Sequence, residues 1–457
     1  MKKITAFIFI LSSVNCSAQF SWQNVGSGLG TNVNHSCLTL LKDTINEVLY
    51  AGGVFKNVDT FECEGIAFWD GINWDSNVPY PNGAVGLPHI HSLGLYNGVI
   101  YGCGGTTNGS IFHISDSGLV SDCIANGLVY CFCIYHDKLY AGGEFTNIDG
   151  LSASRIACYN GVSWSSVGGG VQWTQACCSD VRAMHVWNDK LYVGGTFDKA
   201  GTLDSVNSIA VWNDTSWSNL GTGVLNYGTG LSTAYVYAID DYKNELYIGG
   251  RINDAGGVSV NGICKWNDTL WSDVGGSIDG ILPEVYCFTK MDSSLYVGGL
   301  FVSAGGGATN SPSVARWDNS TWHSVGLGLD IDVGGFFITL AVYNGELYGG
   351  GAFVGDYNGY HLVNIAKYGL INTIAEELEE SEFSLYPNPA TDQLTITSSK
   401  NIQSLEVTNV LGEIIFTQNY STLKTSTEIS VAELSSGIYF LRVQSKDGWS
   451  VSKFVKH

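Results

Sequence analysis

The stretch NDKLYVGGTF, residues 188–197, decides the fold because it recurs along the chain. LYAGG begins at Leu49, YGCGG at Tyr101, LYAGG at Leu139, LYVGG at Leu191, LYIGG at Leu246, LYVGG at Leu295 and LYGGG at Leu347. The first glycines of the pairs fall at 52, 104, 142, 194, 249, 298 and 350, which gives seven repeats. Self-similarity at this period sets the architecture before local propensity does. Around the quoted stretch, VRAMHVWN reads as an inner strand and Asn188-Asp189 as a tight turn. KLYVGGTF is a second strand, DKAGTLDSVN a loop, SIAVWN a third strand and SWSNLGTGV a fourth. Asn and Asp at the turns accept the left-handed backbone that short hairpins need, and the glycine pair admits close approach of a neighbouring backbone.

Four antiparallel strands repeated seven times predict an all-β chain whose larger part is a seven-bladed β-propeller. The seventh repeat supplies FFITLAVYN, ELYGGGAF and NIAKYGL, and then runs into the acidic stretch INTIAEELEESE with no tryptophan-rich fourth strand. An orphan fourth strand, WQNVGSGLG, begins at Trp22. The expectation is that this N-terminal strand completes the last blade, so the array closes without a long open edge. The glycine pair with Tyr and Trp at set distances resembles the kelch-type repeat over roughly residues 20–370. That resemblance implies a propeller and leaves the function open, because such scaffolds serve as binders, structural proteins and occasional enzymes. The second repeat departs from the pattern, since it lacks the tryptophans of the third and fourth strands.

The termini carry targeting information. Residues 1–18 hold two lysines, the apolar run ITAFIFIL and the small-residue stretch SSVNCSA, the order of an export signal peptide with cleavage after Ala18. Lipid attachment at Cys16 is disfavoured by Val14 and Asn15. The propeller is expected over 19–370, an acidic linker over 371–382 and a second domain over 383–457. In that last segment, short alternating apolar and polar runs split by Asn, Gly and Ser predict a small immunoglobulin-like β-sandwich. YPNPATDQLTI from Tyr386, NVLGEII from Asn409, LSSGIYFLRV from Leu434 and the basic finish KFVKH resemble the type A C-terminal sorting domain of the type IX secretion system. This resemblance implies a Bacteroidetes source, passage through the periplasm and then across the outer membrane, and secretion or display at the outer cell surface. The secretion machinery is then the partner of 383–457, and the propeller is cargo.

Composition narrows the partners. With 42 acidic against 21 basic residues the formal charge is -21, which repels nucleic acid and anionic lipid surfaces. Beyond the leader no stretch is long and apolar enough to form a membrane-spanning helix. Of 12 cysteines Cys16 falls in the leader, so the mature chain carries an odd number and at least one thiol stays unpaired within it. The adjacent Cys177 and Cys178 suggest a disulfide from one of them to another loop, whereas Cys131 and Cys287 align with Ala183 and Ala238 as small core residues.

Ten of the 13 tryptophans sit at repeat positions and read as packing between blades. The long loops lie on the face shared by the second-to-third-strand loops and the links between repeats, so that face is the expected binding surface. Its candidate contacts are Tyr80, Trp173, Asp180, Tyr227, Asp279, Glu284, Asp330 and Asp332. His89 and His91 have a spacing that can share a metal, but no third ligand is evident, so no metal or cofactor is expected. G-x-S-x-G, HExxH and GxxxxGK are all missing, which lowers the prior for an enzyme and leaves no catalytic residue to name. Galactose oxidase has kelch-like blades, but its Tyr, Cys and His copper set has no match here. The sequence therefore predicts a secreted or surface propeller that binds a glycan or a protein. The alternative is a secreted carbohydrate-active enzyme with acidic catalytic residues at the channel mouth.

Overall fold

The computed structural model describes residues 20–31, 35–59, 61–63, 65–75, 89–105, 108–115, 118–174, 179–227, 233–326, 328–329, 335–357, 360–370, 383–409, 414–435, 437–446 and 448–456. The expected signal peptide and acidic linker, together with Tyr80, Cys177, Cys178, Asp330 and Asp332, lie outside these residues. The chain divides into two compact units, Met1–Leu370 and Ile371–His457. Among the described residues all regular structure is strand, and no helix is long and apolar enough to cross a membrane.

In the larger unit each repeat forms an antiparallel sheet with one strand at its inner edge. The seven inner strands are Ser36–Asp43, Ile90–Tyr96, Val129–Tyr135, Asp180–Trp187, Tyr235–Tyr242, Glu284–Met291 and Phe336–Tyr343. Each contacts the inner strand of the next repeat, and the seventh contacts the first. The orphan strand Phe20–Asn24 pairs antiparallel with Tyr360–Leu370, Trp22 opposite Tyr368, and so supplies the fourth strand of the seventh sheet. Side chains tie the same junction. Trp22 is fully buried and its Nε1 donates to the Val325 carbonyl of the sixth repeat at 3.2 Å. Trp74 donates to the Val25 carbonyl at 2.9 Å, as Trp322 does to Val274 one repeat earlier. Tyr343 donates to the Glu47 carbonyl at 2.8 Å, repeating the bond from Tyr135 to Asp189.

The glycine pair has two separate causes. A Cβ on the first glycine would strike a side chain of the following repeat: at Gly194 it meets Val236 at 2.4 Å, at Gly249 Val285 at 2.5 Å, and at Gly350 Cys37 of the first repeat at 2.5 Å. A Cβ on the second would strike a backbone carbonyl of its own inner strand, 2.1 Å from Asp180 O at Gly195 and 1.9 Å from Tyr235 O at Gly250. That carbonyl stands just before a β-bulge, which every inner strand carries at the same place. In the second repeat the pairing corrects the sequence register. Cys103 and Gly104, opposite Ser92 and Ile90, hold the pair's positions, one residue earlier than the expected Gly104-Gly105. Its outer strands, Gly109–Ser115 and Gly118–Ala125, pair Ile114 with Leu119 where the fourth repeat pairs Trp212 with Trp217.

The tryptophans, expected to pack between blades, pair within their own sheet, and the indoles of Trp217 and Trp322 reach the preceding repeat by donating to the Gly168 and Val274 carbonyls. Rings of the third and fourth strands lie 5.1 Å apart in Trp212–Trp217, Trp266–Trp271 and Trp317–Trp322. Two other expectations change. The segments between second and third strands are not open loops, because most form hairpins, such as Lys199–Ala200 with Leu203–Asp204. Those hairpins pair with the link from the preceding repeat, Val171–Gln172, Val224–Leu225 and Ile278–Asp279 each contributing a third strand. The smaller unit, expected as two facing layers, has all its five strands in one hydrogen-bonded sheet. Its strand Gln393–Asn409 is long enough to pair with Phe383–Tyr386 at one end and Gly437–Ser445 at the other, which joins what short strands would have split.

Candidate functional site at the inner-strand bulges

A bulge leaves one residue of a strand unpaired and re-aims its side chain. Here the unpaired residues are Leu38, His91, Tyr130, Arg182, Tyr237, Tyr286 and Ile338, one per repeat. The residue before each is buried between repeats: Cys37, Ile90, Val181, Val236, Val285 and Phe337 have no exposed surface and Val129 has 1%. The bulged residues themselves are all partly exposed. Their strands lie at the inner edge of each sheet, and five of them, His91, Tyr130, Arg182, Tyr237 and Tyr286, touch from repeat to repeat.

Those contacts form an arc. The His91 ring stands edge-on to Tyr130 with centroids 5.9 Å apart. The Arg182 guanidinium lies over Tyr130 at 4.4 Å and over Tyr237 at 5.7 Å. Tyr237 meets Tyr286 at 5.3 Å, and Tyr286 meets Phe336 at 5.6 Å. Carboxylates hold the polar ends. Arg182 Nε donates to Asp180 Oδ2 at 2.7 Å, while Asp180 Oδ1 accepts from the Thr196 backbone at 3.0 Å. Tyr286 donates to Glu284 at 2.7 Å, with Arg251 3.9 Å from the same carboxylate, and Tyr130 donates to Glu144 at 3.0 Å. Burial pushes the Tyr130 phenol up to about 12 and raises Tyr237 and Tyr286 further, so all three remain neutral donors. Burial also lowers the pKa of His91, whose Nε2 lies 3.2 Å from the Gly105 carbonyl.

Of the residues expected to bind, Asp180 and Glu284 belong to this arc; both stand two residues before a bulge. Trp173 is half-buried on a link, and Tyr227 is 60% exposed on the next link. Asp279 lies in the strand paired with Ser303–Ala304. The structure does not bring these three into the arc's ring contacts. Sequence reasoning missed Tyr130, Arg182, Tyr237 and Tyr286. Their signal was the recurring VYCF, VRAM, VYAI and VYCF, in which one variable residue stands between a buried aliphatic residue and a small one.

The His89 and His91 rings are 6.2 Å apart, and among the described residues they gather no third ligand. The one ligand trio among the described residues is His185, Asp240 and Asp241, further along the inner strands. Lys290 already supplies a cation there, its Nζ 3.0 Å from both aspartates. Burial works to raise the Asp241 pKa, but the hydrogen bonds from Lys290 and His185 outweigh it and leave it lowered. The nine cysteines described are all free thiols. Burial pushes the Cys123 thiol up to about 12 and those of Cys37 and Cys103 higher still.

Comparison with known proteins bears on the smaller unit first. Residues 384–457 match the secretion system C-terminal sorting domain. That domain marks the chain for type IX export to the cell surface or beyond. Its YPNP motif is structurally engaged: Asn388 accepts from the Val455 backbone at 2.9 Å and donates to the Lys453 carbonyl at 3.2 Å, which pins the motif to the last strand. No curated protein matches the chain. Among solved structures it is similar to PorZ, a surface component of the type IX secretion system of Porphyromonas gingivalis. The identity is 14% and the TM-score 0.45, over 92% of this chain and 59% of that one. It is also similar to the extracellular domain of the putative hybrid two-component system BT4673 from B. thetaiotaomicron, at 12% identity and TM-score 0.49, over 96% and 59%. The computationally designed Ika8 protein aligns at 12% identity and TM-score 0.39. The chain thus spans about three-fifths of the length of the two natural proteins.

Proposed function

We propose that residues 20–370 are a closed, kelch-like seven-bladed propeller that is delivered by the sorting domain and binds an extracellular glycan or protein at the bulge end of its central channel. Closure is supported by the pairing of Phe20–Asn24 with the seventh sheet and by the bonds from the seventh repeat to the first. The observation that carries the binding reading is the arc of Tyr130, Arg182, Tyr237 and Tyr286. Four adjacent repeats place aromatic or guanidinium groups at one structural position, all partly exposed and three of them bonded to a carboxylate. Apolar faces with a few fixed polar groups are the usual make-up of a ligand site.

The alternative, a carbohydrate-active enzyme, draws on one observation: Asp180 and Glu284 both act electrostatically on Tyr237 between them. Against it, each carboxylate is already committed, Asp180 to Arg182 and Glu284 to Tyr286. The test is a glycan array and a panel of purified surface proteins probed with the exported chain, with and without chelator. Binding that survives chelation and falls in the Tyr237→Ala/Tyr286→Ala double variant supports the reading. Turnover abolished by Asp180→Asn or Glu284→Gln favours the enzyme.

A further inference from the structure

We infer that the arc is a seat for a neutral pyranose residue, with the Tyr237 and Tyr286 rings as stacking faces and the terminal edge of Arg182 and the carboxylate of Glu284 as hydrogen-bond partners. This inference rests on the binding reading above and adds the ligand's chemistry. Arg182 has three partners: its guanidinium carbon lies 4.4 Å from the Tyr130 ring centroid and 5.7 Å from that of Tyr237, and Asp180 holds Nε. No described residue accepts a hydrogen bond from its Nη1 or Nη2. A guanidinium edge so placed is a rigid two-donor fork.

Two ligand chemistries suit such a fork, a carboxylate and a pair of hydroxyl oxygens. The surroundings favour the second. The two guanidiniums beside the arc's rings and its Glu284 both face a carboxylate, Arg182 facing Asp180 and Arg251 facing Glu284. The chain carries a formal charge of -21, so an incoming anion is repelled at long range and meets, at Arg182 and Arg251, guanidiniums that carboxylates already pair. A neutral sugar offers what the site lacks. Its hydroxyls donate to Glu284 and accept from Arg182, while an aliphatic ring face lies on tyrosine. Aromatic or guanidinium groups occupy repeats two to six, whereas Leu38 and Ile338 hold the same position in repeats one and seven. The ring of seven positions is therefore one-sided, which fixes a ligand's orientation.

A protein ligand would instead engage the exposed apolar side chains on the links, Ile281 at 99% exposure with Leu282 and Tyr227. The test uses the full exported chain and separates these cases. Saturation-transfer NMR and calorimetry are run with the methyl glycosides of glucose, galactose and mannose, and with glucuronate as the anionic counterpart. The inference expects at least one neutral glycoside to bind. Arg182→Lys, which keeps charge and loses the fork, and Tyr237→Ala should each weaken that binding about tenfold with the far-ultraviolet circular dichroism and the cooperative urea transition retained. Ile281→Ser/Leu282→Ser should leave it intact. Tighter binding of glucuronate, binding of none of the four sugars, or indifference to both arc variants overturns it. If array ligands still bind the Arg182→Lys and Tyr237→Ala proteins at full strength, the sugar seat falls while binding by the propeller stands.

Discussion

Gly250→Ala should be far more damaging than its size suggests. The added Cβ lies 1.9 Å from the Tyr235 carbonyl oxygen and 3.1 Å from the Val236 Cα, where real Cβ contacts below 3.0 Å are essentially unknown. The obstructing atoms are backbone, held by the ladder that pairs Tyr235 with Arg251 and Val236 with Gly250. No rotamer change relieves the clash, so the bulge that presents Tyr237 has to flatten or the strand has to move by about an ångström. Overpacking by one methyl costs about 1–3 kcal/mol, and a rigid backbone obstacle puts this variant at about 3 kcal/mol. Two companions calibrate it. Gly249→Ala meets Val285 Cγ1 at 2.5 Å and Phe288 Cζ at 2.9 Å, side-chain atoms that can yield, for about 1–2 kcal/mol. Gly257→Ala meets nothing within 4 Å and bears only the strain of φ 87°, about 1–2 kcal/mol. Urea unfolding of the exported chain, followed by tryptophan fluorescence, gives the order through the midpoints. Should Gly250→Ala unfold no earlier than Gly257→Ala, the link between the glycine pair and the bulge is wrong.

Trp22→Ala removes a fully buried indole from the seventh sheet and should cost about 3–5 kcal/mol by the same assay, whereas Trp173→Ala, half-buried on a link, should cost less than about 1.5 kcal/mol. His136 bridges two carboxylates of the next repeat, Asp214 at 2.5 Å and Asp189 at 2.8 Å, and these bonds raise its pKa. The clasp is therefore complete below the unfolded value of about 6.5 and is lost as pH rises through the raised folded value. Proton NMR should find His136 titrating above 6.5, and Asp214→Asn should bring it back; a midpoint at or below 6.5 in the parent refutes the clasp. Lys290→Met leaves His185, Asp240 and Asp241 without a resident cation, so millimolar zinc should raise the melting temperature of the variant and not of the parent; an equal rise in both contradicts the role given to Lys290. Cys37, Cys103 and Cys264 are fully buried thiols whose pKa burial raises, and they should resist a thiol reagent until urea exposes them.

Much of the architecture was legible because its causes are periodic. The glycine pair announces a close approach seven times, and the tryptophans mark the outer strands. The missing fourth strand of the last repeat could be matched to WQNVGSGLG by type alone. Cys103 shows the limit: it stands where the other repeats have glycine, and counting glycines slid the register by one until strand pairing set it right. The hairpins between second and third strands were hidden for another reason. Lys199–Ala200 and Leu203–Asp204 are two residues each, too short for alternation to register, and they form because a link from the preceding repeat lies alongside. Asp180 and Glu284 were found by their place on a face rich in loops. Tyr130, Arg182, Tyr237 and Tyr286 were not, because a bulge turns a residue that strict alternation would assign to one strand face. No turn motif marks that, and only comparison of the same column across repeats does.

The pairing of the first described strand with the last sheet of the larger unit decides whether the inner strands surround a channel at all. Hydrogen exchange of the exported chain, read at the amides of residues 20–24 and 360–370, measures it directly. The account predicts that the ladder amides of both segments exchange together, as slowly as those of Lys190–Thr196, and that Trp22→Ala speeds both in step. Rapid exchange at 20–24 beside continued protection of 360–370 would contradict it.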